Sequence, residues 1–269
     1  MKINAFVVAA SALAAVLPSA AQAQGDYPSK PVLLVICFGA GGGLDVVGRI
    51  VADRLSKNLG RQIVVENRPG AAGNIGTVSV LKAPADGYTL LETTNSYNIN
   101  PFLYRNPGFD PRRDFVPVIE LTRAPSVIIV GAKSTLRTVK ELVAAARAAP
   151  GKLVYGSAGN GSPTNIAMEL FKVAAGIDIT HVPYKTAAQA NQDVIGGQTP
   201  LAMAALPSVV SQVKGGLLQA VAMTSEKRWP SFPDVPTVAE SGYAGYSHLT
   251  WIGIVAPAAT PPAIVARLN

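Results

Sequence analysis

The sequence predicts an α/β fold of two lobes, and three observations lead to that prediction. A continuous apolar, β-branched run at 32–38 suits a strand buried on both faces of a mostly parallel sheet. A glycine loop at 39–43 and a helical spacing of apolar residues at 44–59 follow it. The same order of strand, glycine loop and helix returns at 152–175. Because such alternation is typical of α/β proteins, we expect one unit of this kind in each lobe.

Further elements fit the same plan. We expect additional strands at 62–65, 87–93, 179–183, 200–204, 218–223 and 250–256. We expect additional helices at 74–82, 138–149, 188–195 and 208–214. Thr138 and Glu141 have the spacing of a capping box, which supports a helix start at this point. The segments 118–130 and 246–256 are interpreted as the crossovers that link the two lobes.

The N-terminus has the pattern of a cleavable secretory signal. Lys2 precedes an apolar run at 5–17, and the small-residue sequence 21–23 (Ala-Gln-Ala) follows. The apolar run is shorter than the roughly 20 residues that span a bilayer, which disfavours a membrane anchor. We therefore expect residues 1–23 to be a signal peptide. The single cysteine, Cys37, has no internal disulfide partner, so stability must come from packing.

The charge distribution argues against nucleic acid as a partner. The chain has 23 Lys and Arg residues against 16 Asp and Glu residues, a formal net charge of +7. The basic residues are scattered singly and form no patch or run of the kind that nucleic-acid-binding proteins carry. A diffuse positive field would raise the local concentration of small anions near a cleft. The alternative interpretation is ordinary surface charge that keeps the protein soluble.

The two glycine loops are candidate binding sites for an oxyanion. Each loop, at 39–43 and at 156–162, precedes a predicted helix, whose N-terminus offers unpaired amide groups and a partial positive charge. If the lobes face each other, both loops approach one cleft, and one carboxylate ligand would bridge them. The alternative is that the glycines only form tight turns.

Nucleotide binding is disfavoured. The glycines at 39 and 41 and the acidic Glu66 follow the order of a dinucleotide site, but Leu44 stands where the third glycine belongs. Neither loop continues into the Gly-Lys-Ser/Thr of a phosphate-binding P-loop. We therefore expect no cofactor.

Catalysis is also disfavoured. The two histidines, His181 and His248, show no metal-ligand spacing and no adjacent nucleophile motif. Ser157 and Ser162 are not in a G-x-S-x-G sequence, so their hydroxyls are better interpreted as ligand contacts. Cys37 ends a buried strand, where a packed, inert thiol is expected. We expect a binding protein, not an enzyme; a secreted enzyme that acts on a carboxylate is the alternative, and turnover of a bound ligand would reveal it.

Ordered motifs along nearly the whole mature chain resemble the tripartite tricarboxylate transporter receptors, also called the Bug or TctC family. The matching segments are 27–31 (YPSKP), 38–45 (FGAGGGLD), 64–70 (VVENRPG), 86–90 (DGYTL), 100–101 (NP), 155–157 (YGS), 181–185 (HVPYK) and 234–237 (DVPT).

This resemblance implies a fold and a function. The fold is of the periplasmic binding protein type II class, with two α/β lobes around a central cleft joined by crossover strands. The lobes are expected at 24–122 plus 244–269 and at 123–243. The function is the capture in the periplasm of a dicarboxylate, tricarboxylate, acidic amino acid or aromatic acid, and its delivery to membrane transporter subunits. The receptor is expected to be monomeric; a ligand sensor for a signalling partner is the alternative.

The resemblance also carries a set of ligand-binding residues. In the first loop they are Phe38, Ala40, Gly41, Gly42 and Asp45. In and after the second loop they are Ser157, Gly159, Gly161, Ser162, Thr164 and Asn165. The turn Tyr184, Lys185 and Thr186 is expected to close over the ligand.

The chain departs from the family pattern at several positions. Cys37 stands where proline is usual, Thr186 where glycine is common, and Asn165 where histidine is frequent. These changes are expected to alter the choice of ligand while the loop chemistry is kept, because Asn165 forms hydrogen bonds but carries no positive charge. Family members also continue beyond Asn269, so the resemblance implies a fold whose C-terminal part is truncated here.

Overall fold

The computed structural model describes residues 27–269. The predicted signal peptide at 1–23 therefore lies outside the described residues. The strands are β1 (Val32–Ile36), β2 (Ile63–Asn67), β3 (Thr89–Thr94), β4 (Phe115–Gly131), β5 (Val154–Ser157), β6 (Thr180–Pro183), β7 (Leu201–Ala205), β8 (Leu218–Met223) and β9 (Leu249–Pro257). The helices are α1 (Gly43–Leu59), α2 (Asn74–Leu81), α3 (Ser96–Leu103), α4 (Val139–Ala148), α5 (Pro163–Ala175), α6 (Ala187–Gly196), α7 (Leu206–Lys214) and α8 (Pro262–Leu268).

The predicted α/β class is confirmed, and each predicted strand and helix is present within a few residues of its expected bounds. The capping box at the start of α4 is also present, with both the Thr138 and the Glu141 side chains bonded to backbone amides. Helix α3 was not predicted. Its sequence contains Pro101 and two asparagines, which are poor helix formers, so tertiary packing outweighs local propensity there.

The first sheet has the strand order β2-β1-β3-β9-β4. Strand β1 pairs in parallel with β2 and with β3, whereas β9 pairs antiparallel with both β3 and β4. Successive residues of β1 point to opposite faces, so Leu34 and Val35 belong to different hydrophobic clusters. Helices therefore cover both faces, which explains why β1 is apolar throughout.

The second sheet repeats this arrangement. Strand β5 pairs in parallel with β6 and β7, and β4 pairs antiparallel with β7 and β8. Its two faces also pack into separate clusters, one around Phe171 of α5 and the other around Val209 of α7.

Strand β4 connects the two sheets. Its residues 115–125 pair with β9 in the first sheet, and its residues 126–131 pair with β7 and β8 in the second. The strand is shared, so the two sheets flank a cleft that lies beside β4 and β9. No helix in the described part of the chain is both long and apolar enough to cross a membrane.

Candidate functional site

A cleft between the two sheets contains two neighbouring cavities. The first cavity has an empty volume of about 470 Å³, with the open solvent at its mouth included. Its lining residues are Phe38, Gly39, Gly42, Gly43, Leu44, Ala158, Pro163, Thr164, Lys185, Thr186, Ala187, Ala205 and Thr250. The second cavity, of about 730 Å³ measured in the same way, shares Phe38, Ala158 and Lys185 with the first. The two cavities are therefore parts of one cleft.

The walls of this cleft are in contact, and glycines make the contact possible. A Cβ placed on Gly39 would lie 2.5 Å from Cγ2 of Thr186, and one on Gly43 would lie 2.8 Å from Cβ of Ala205. From the opposite wall, a Cβ on Gly161 would lie 3.2 Å from Cβ of Ala72. The cleft is therefore closed at these points.

The first loop, residues 37–42, is held by Asp45. The Asp45 carboxylate accepts a hydrogen bond from the Gly41 amide at 3.0 Å and another from Nε of Arg49 at 3.0 Å. Arg49 also donates to Asn67, whose side-chain amide donates to the carbonyl of Phe38. Burial alone would raise the pKa of Asp45, but the hydrogen bonds from Arg49 and Gly41 outweigh it and lower this pKa. Asp45 is therefore ionised at neutral pH and fixes the loop from behind.

The second loop, residues 158–162, is held by side chains in the same manner. The Gly159 amide donates to Oγ of Ser157 at 3.1 Å, and the Gly161 amide donates to Oδ1 of Asn165 at 2.9 Å. The Ala158 amide donates to Oγ1 of Thr164 at 3.2 Å. These amides have internal acceptors, so their hydrogen bonds shape the loop in this closed arrangement.

The first turns of α1 and α5 carry amides without an internal acceptor. Gly43 and Leu44 at the start of α1 and Thr164 at the start of α5 have no acceptor within hydrogen-bond distance among the described residues. All three residues line the first cavity. Helices α1 and α5 therefore both direct their N-termini, with unpaired amides and partial positive charge, at the same space.

The lining residues also give the cleft a positive sign. Lys185 is the one charged residue among the described residues that line the two cavities. It is exposed and lines both of them. No Asp or Glu side chain lines either cavity in the described part of the chain. The site is thus suited to an anion and opposes a cation.

The predicted ligand-binding residues fall into two groups. Those that line the first cavity are Phe38, Gly42, Thr164, Lys185 and Thr186, and those that line the second include Phe38, Gly159, Tyr184 and Lys185. The remaining ones support the loops or lie beside them: Asp45, Ser157, Gly161, Ser162 and Asn165 are buried, and Ala40 and Gly41 are exposed. The structure thus brings both loops together as expected and separates residues that line the cleft from residues that hold the loops.

The turn after β6 has structural contacts of its own. The Tyr184 hydroxyl is 2.7 Å from Oδ2 of Asp193 and 2.6 Å from Oγ1 of Thr199, so it points away from the first cavity. Thr186 caps α6 by accepting a hydrogen bond from the Gln189 amide. Threonine in place of the common glycine therefore adds a helix cap and a methyl group against the first loop.

Several lining residues were not predicted. Gly39, Gly43 and Leu44 belong to the glycine loop and helix start, so the loop motif could have identified them. No sequence motif marked Thr250 as a site residue. It lines the first cavity because β9 pairs with β4 there, with Thr250 opposite Ala124. Its Oγ1 is buried and has no partner among the described residues, which is unusual for a buried hydroxyl.

The structure also corrects the expectation that no nucleophile lies beside a histidine. Oγ of Ser157 is 2.6 Å from Nε2 of His181, because β5 and β6 are adjacent parallel strands. His248 is buried without side-chain partners among the described residues, and burial lowers its pKa. Cys37 is packed as expected, and burial raises its pKa to about 12. Within residues 27–269, no group of three or more potential ligand side chains could hold a metal ion.

The fold and the cleft define a two-lobed solute-binding receptor. The model of the tripartite tricarboxylate transporter family receptors matches residues 47–269, and the chain belongs to this family. A UPF0065 protein in the tcbD-tcbE intergenic region of a Pseudomonas species is 38% identical over 98% of this chain and 79% of its own length. The protein BugT of Bordetella pertussis is 35% identical over 90% of this chain and 75% of its own length.

Solved structures agree with this assignment. Rpa4515 of R. palustris, solved with adipate, is 38% identical, with a TM-score of 0.87 over 90% of this chain and 82% of that one. MatC of Rhodopseudomonas palustris, solved with bound malate, is 30% identical, with a TM-score of 0.85 over 90% and 83%. The periplasmic binding protein BugD is 36% identical, with a TM-score of 0.86 over 90% and 81%. The predicted family is confirmed, and it is a family of binding receptors.

Proposed function

We propose that the protein captures a small organic carboxylate in the first cavity and delivers it to a tripartite tricarboxylate-type membrane transporter from the periplasm. The observation that carries this proposal is the convergence of two helix N-termini on one cavity. The amides of Gly43, Leu44 and Thr164 are donors without acceptors among the described residues, and a carboxylate supplies two acceptor oxygens. Hydrogen bonds to such a charged group contribute about 1.5–3 kcal/mol each.

The charge of the cleft supports the same ligand class. Lys185 at the rim would attract an anion, and no Asp or Glu side chain among the described lining residues would repel it at the cavity wall. The ionised Asp45 behind the first loop is paired with Arg49, which reduces its effect. The second cavity leaves space for the rest of the ligand beside Lys185, with Phe38, Tyr104 and Tyr184 as its aromatic lining. The adipate and malate in the related structures belong to this ligand class, so both are suitable first candidates.

Closure of the lobes follows from binding at both helices. We assign lobe 1 to residues 24–122 plus 244–269 and lobe 2 to residues 123–243, so that α1 lies in one lobe and α5 in the other. A ligand held by both helix N-termini stabilises the arrangement in which they meet. Asp45, Ser157, Gly159, Gly161 and Asn165 act in this scheme by holding the two loops.

The closed lobes would also be the form that a transporter recognises. We place the mature receptor in the periplasm, because the 1–23 segment has the signal-peptide pattern and the related BugD is a periplasmic binding protein.

The Ser157–His181 pair does not require a catalytic function. A nucleophilic serine must donate its proton to the histidine, whereas Ser157 is buried behind the second loop and its oxygen already accepts from the Gly159 amide. We therefore assign binding without chemistry. Recovery of unchanged ligand after long incubation with the protein is the expected result, and appearance of a product would favour the enzyme alternative.

A thermal-shift screen tests the proposal. The chain from Gln24 onward is melted with adipate, malate, citrate, glutamate and benzoate, and with adipamide and glucose as controls. A ligand at 100 times its dissociation constant adds about 2.7 kcal/mol to the free energy of unfolding, which is easily detected. We expect at least one carboxylate to raise the melting temperature while its amide does not. Equal shifts with carboxylates and their amides would contradict the proposal.

A further inference from the structure

A partly buried network of hydrogen bonds lies behind the second loop and outside both cavities. We call it the His181 network, and its members are Tyr155, Ser157, Asn165, Glu169 and His181. Ser157 and Tyr155 are fully buried on β5, His181 is on β6, and Asn165 and Glu169 are on α5. The network touches the loop at two amides, those of Gly159 and Gly161.

One group in the network can only donate, and it fixes the donor and acceptor roles of the others. The backbone amide of Gly161 can only donate, so the atom of Asn165 that faces it at 2.9 Å is the oxygen. The nitrogen of the same side chain therefore faces the Tyr155 hydroxyl at 2.8 Å and Nδ1 of His181 at 3.5 Å. Because an amide nitrogen only donates, Nδ1 of His181 has to accept, and the proton of the neutral ring sits on Nε2.

The remaining contacts agree with this direction. The Tyr155 hydroxyl accepts from Asn165 and donates to Oε1 of Glu169 at 2.6 Å. The rings of Tyr155 and His181 stack with centroids 4.8 Å apart and planes 24° apart, which holds the imidazole in its orientation. The groups that titrate or carry charge around the ring are Glu169 and Lys172. Burial lowers the pKa of His181, and Glu169 opposes this change while Lys172 adds to it.

Ser157 connects His181 to the second loop. The Nε2–H group of His181 donates to Oγ of Ser157 at 2.6 Å, and the Gly159 amide donates to the same oxygen at 3.1 Å. Both acceptor positions of the hydroxyl are then filled, and its proton is directed at the carbonyl of Gly159, 3.3 Å away. The backbone of Gly159 is thus held at its amide and at its carbonyl by one side chain.

From these contacts we infer that His181, as the neutral Nε2–H tautomer, is a positioning residue for the second loop. It fixes Ser157, which fixes Gly159, while Asn165 fixes Gly161, and together these contacts set the backbone that leads into the N-terminus of α5. This inference deepens the proposed function, because the loop and helix it positions form one wall of the carboxylate site.

Two substitutions separate positioning from simple packing. His181→Phe keeps a ring against Tyr155 but removes the donor to Ser157, whereas His181→Gln supplies an amide donor at about the reach of Nε2. We expect His181→Phe to weaken adipate or malate binding by about tenfold and His181→Gln to stay within about twofold of the parent. Ser157→Ala should weaken binding by a similar factor. The double variant with His181→Phe should bind no more weakly than Ser157→Ala alone.

Nuclear magnetic resonance tests the inference without any ligand. The chain has two histidines, so the ring ¹⁵N signals of His181 are assigned with His248→Gln as the matched control. We expect the ¹⁵N pattern of the Nε2–H tautomer at pH 7, together with shifted Gly159 and Gly161 amide signals in His181→Phe but not in His181→Gln. An Nδ1–H tautomer, or unmoved glycine amides in His181→Phe, would overturn the inference. If the parent protein binds no carboxylate but shows the expected ring ¹⁵N pattern and glycine amide shifts, the proposed function is contradicted and the positioning role of His181 is retained.

Discussion

Gly39 and Thr186 meet across the cleft so closely that a Cβ on Gly39 would lie 2.5 Å from Cγ2 of Thr186. Gly39 precedes α1, and Thr186 is the N-cap of α6, so this contact joins the first loop to the opposite wall. The contact between the two walls therefore requires glycine at position 39, because the methyl group of Thr186 occupies the space that a side chain there would need.

This contact predicts a substitution and its rescue. Gly39→Ala should oppose closure, because overpacking of this kind costs about 1–3 kcal/mol. We expect carboxylate affinity, measured by calorimetry, to fall by about tenfold or more. Thr186→Ser keeps the hydroxyl that caps α6 and removes Cγ2, so the double variant should recover most of the affinity. Equal affinities of the single and double variants would show that this contact does not control closure.

Thr250 is expected to contact the ligand. Its hydroxyl is buried, lines the first cavity and has no partner among the described residues. Thr250→Val should raise the free energy of unfolding without ligand by about 1 kcal/mol, since an unsatisfied hydroxyl is removed, and should lower affinity by about tenfold. Thr260→Val is the matched control, because Thr260 also has a buried, unpartnered hydroxyl but lines neither cavity. Unchanged affinity in Thr250→Val would exclude this contact.

Lys185 is expected to add electrostatic attraction at the rim. It is exposed, so solvent screens its charge, and Lys185→Gln should weaken carboxylate binding by no more than about fivefold. The loss should shrink when the salt concentration is raised, because the Debye length shortens. Lys152→Gln, at an exposed lysine outside both cavities, is the control. A loss that does not depend on salt would point instead to a direct hydrogen bond.

Glu92 predicts a pH-dependent stability. Its carboxyl is fully buried between β3 and α1 and has no partner among the described residues, and a Cβ on Gly48 would collide with it. Burial, with a further contribution from the negative Asp45, raises its pKa from 4.5 to about 8. The folded state thus holds this proton more tightly than the unfolded state, so stability from this group falls as the pH rises from 4.5 to 8.

Melting curves of Glu92→Gln against pH check this consequence. We expect the melting temperature of the variant minus that of the parent to increase between pH 5 and pH 8, because the amide does not ionise. Glu226→Gln, at an exposed position, should show no such increase. A constant difference across this range would mean that Glu92 is not protonated in the folded state at neutral pH.

Local patterns predicted much of the fold and part of the site. The apolar run of β1, the glycine loops and the capping box of α4 are features of contiguous residues, and all were visible in the sequence. The contacts of His181 with Ser157 and of Thr250 with the first cavity were not, because they depend on which strands are neighbours. The distinction between free amides at Gly43 and Thr164 and occupied ones at Gly41 and Gly159 requires side-chain geometry that no spacing rule contains.

In the proposed site, one carboxylate is held by the N-termini of both α1 and α5. Amide ¹H–¹⁵N spectra of the mature chain, titrated with adipate and in parallel with adipamide, test it most directly, and malate replaces adipate if adipate does not bind. We expect the Gly43 and Thr164 amide protons both to move downfield with adipate and not with adipamide. Saturable binding that leaves either amide signal unmoved would contradict it.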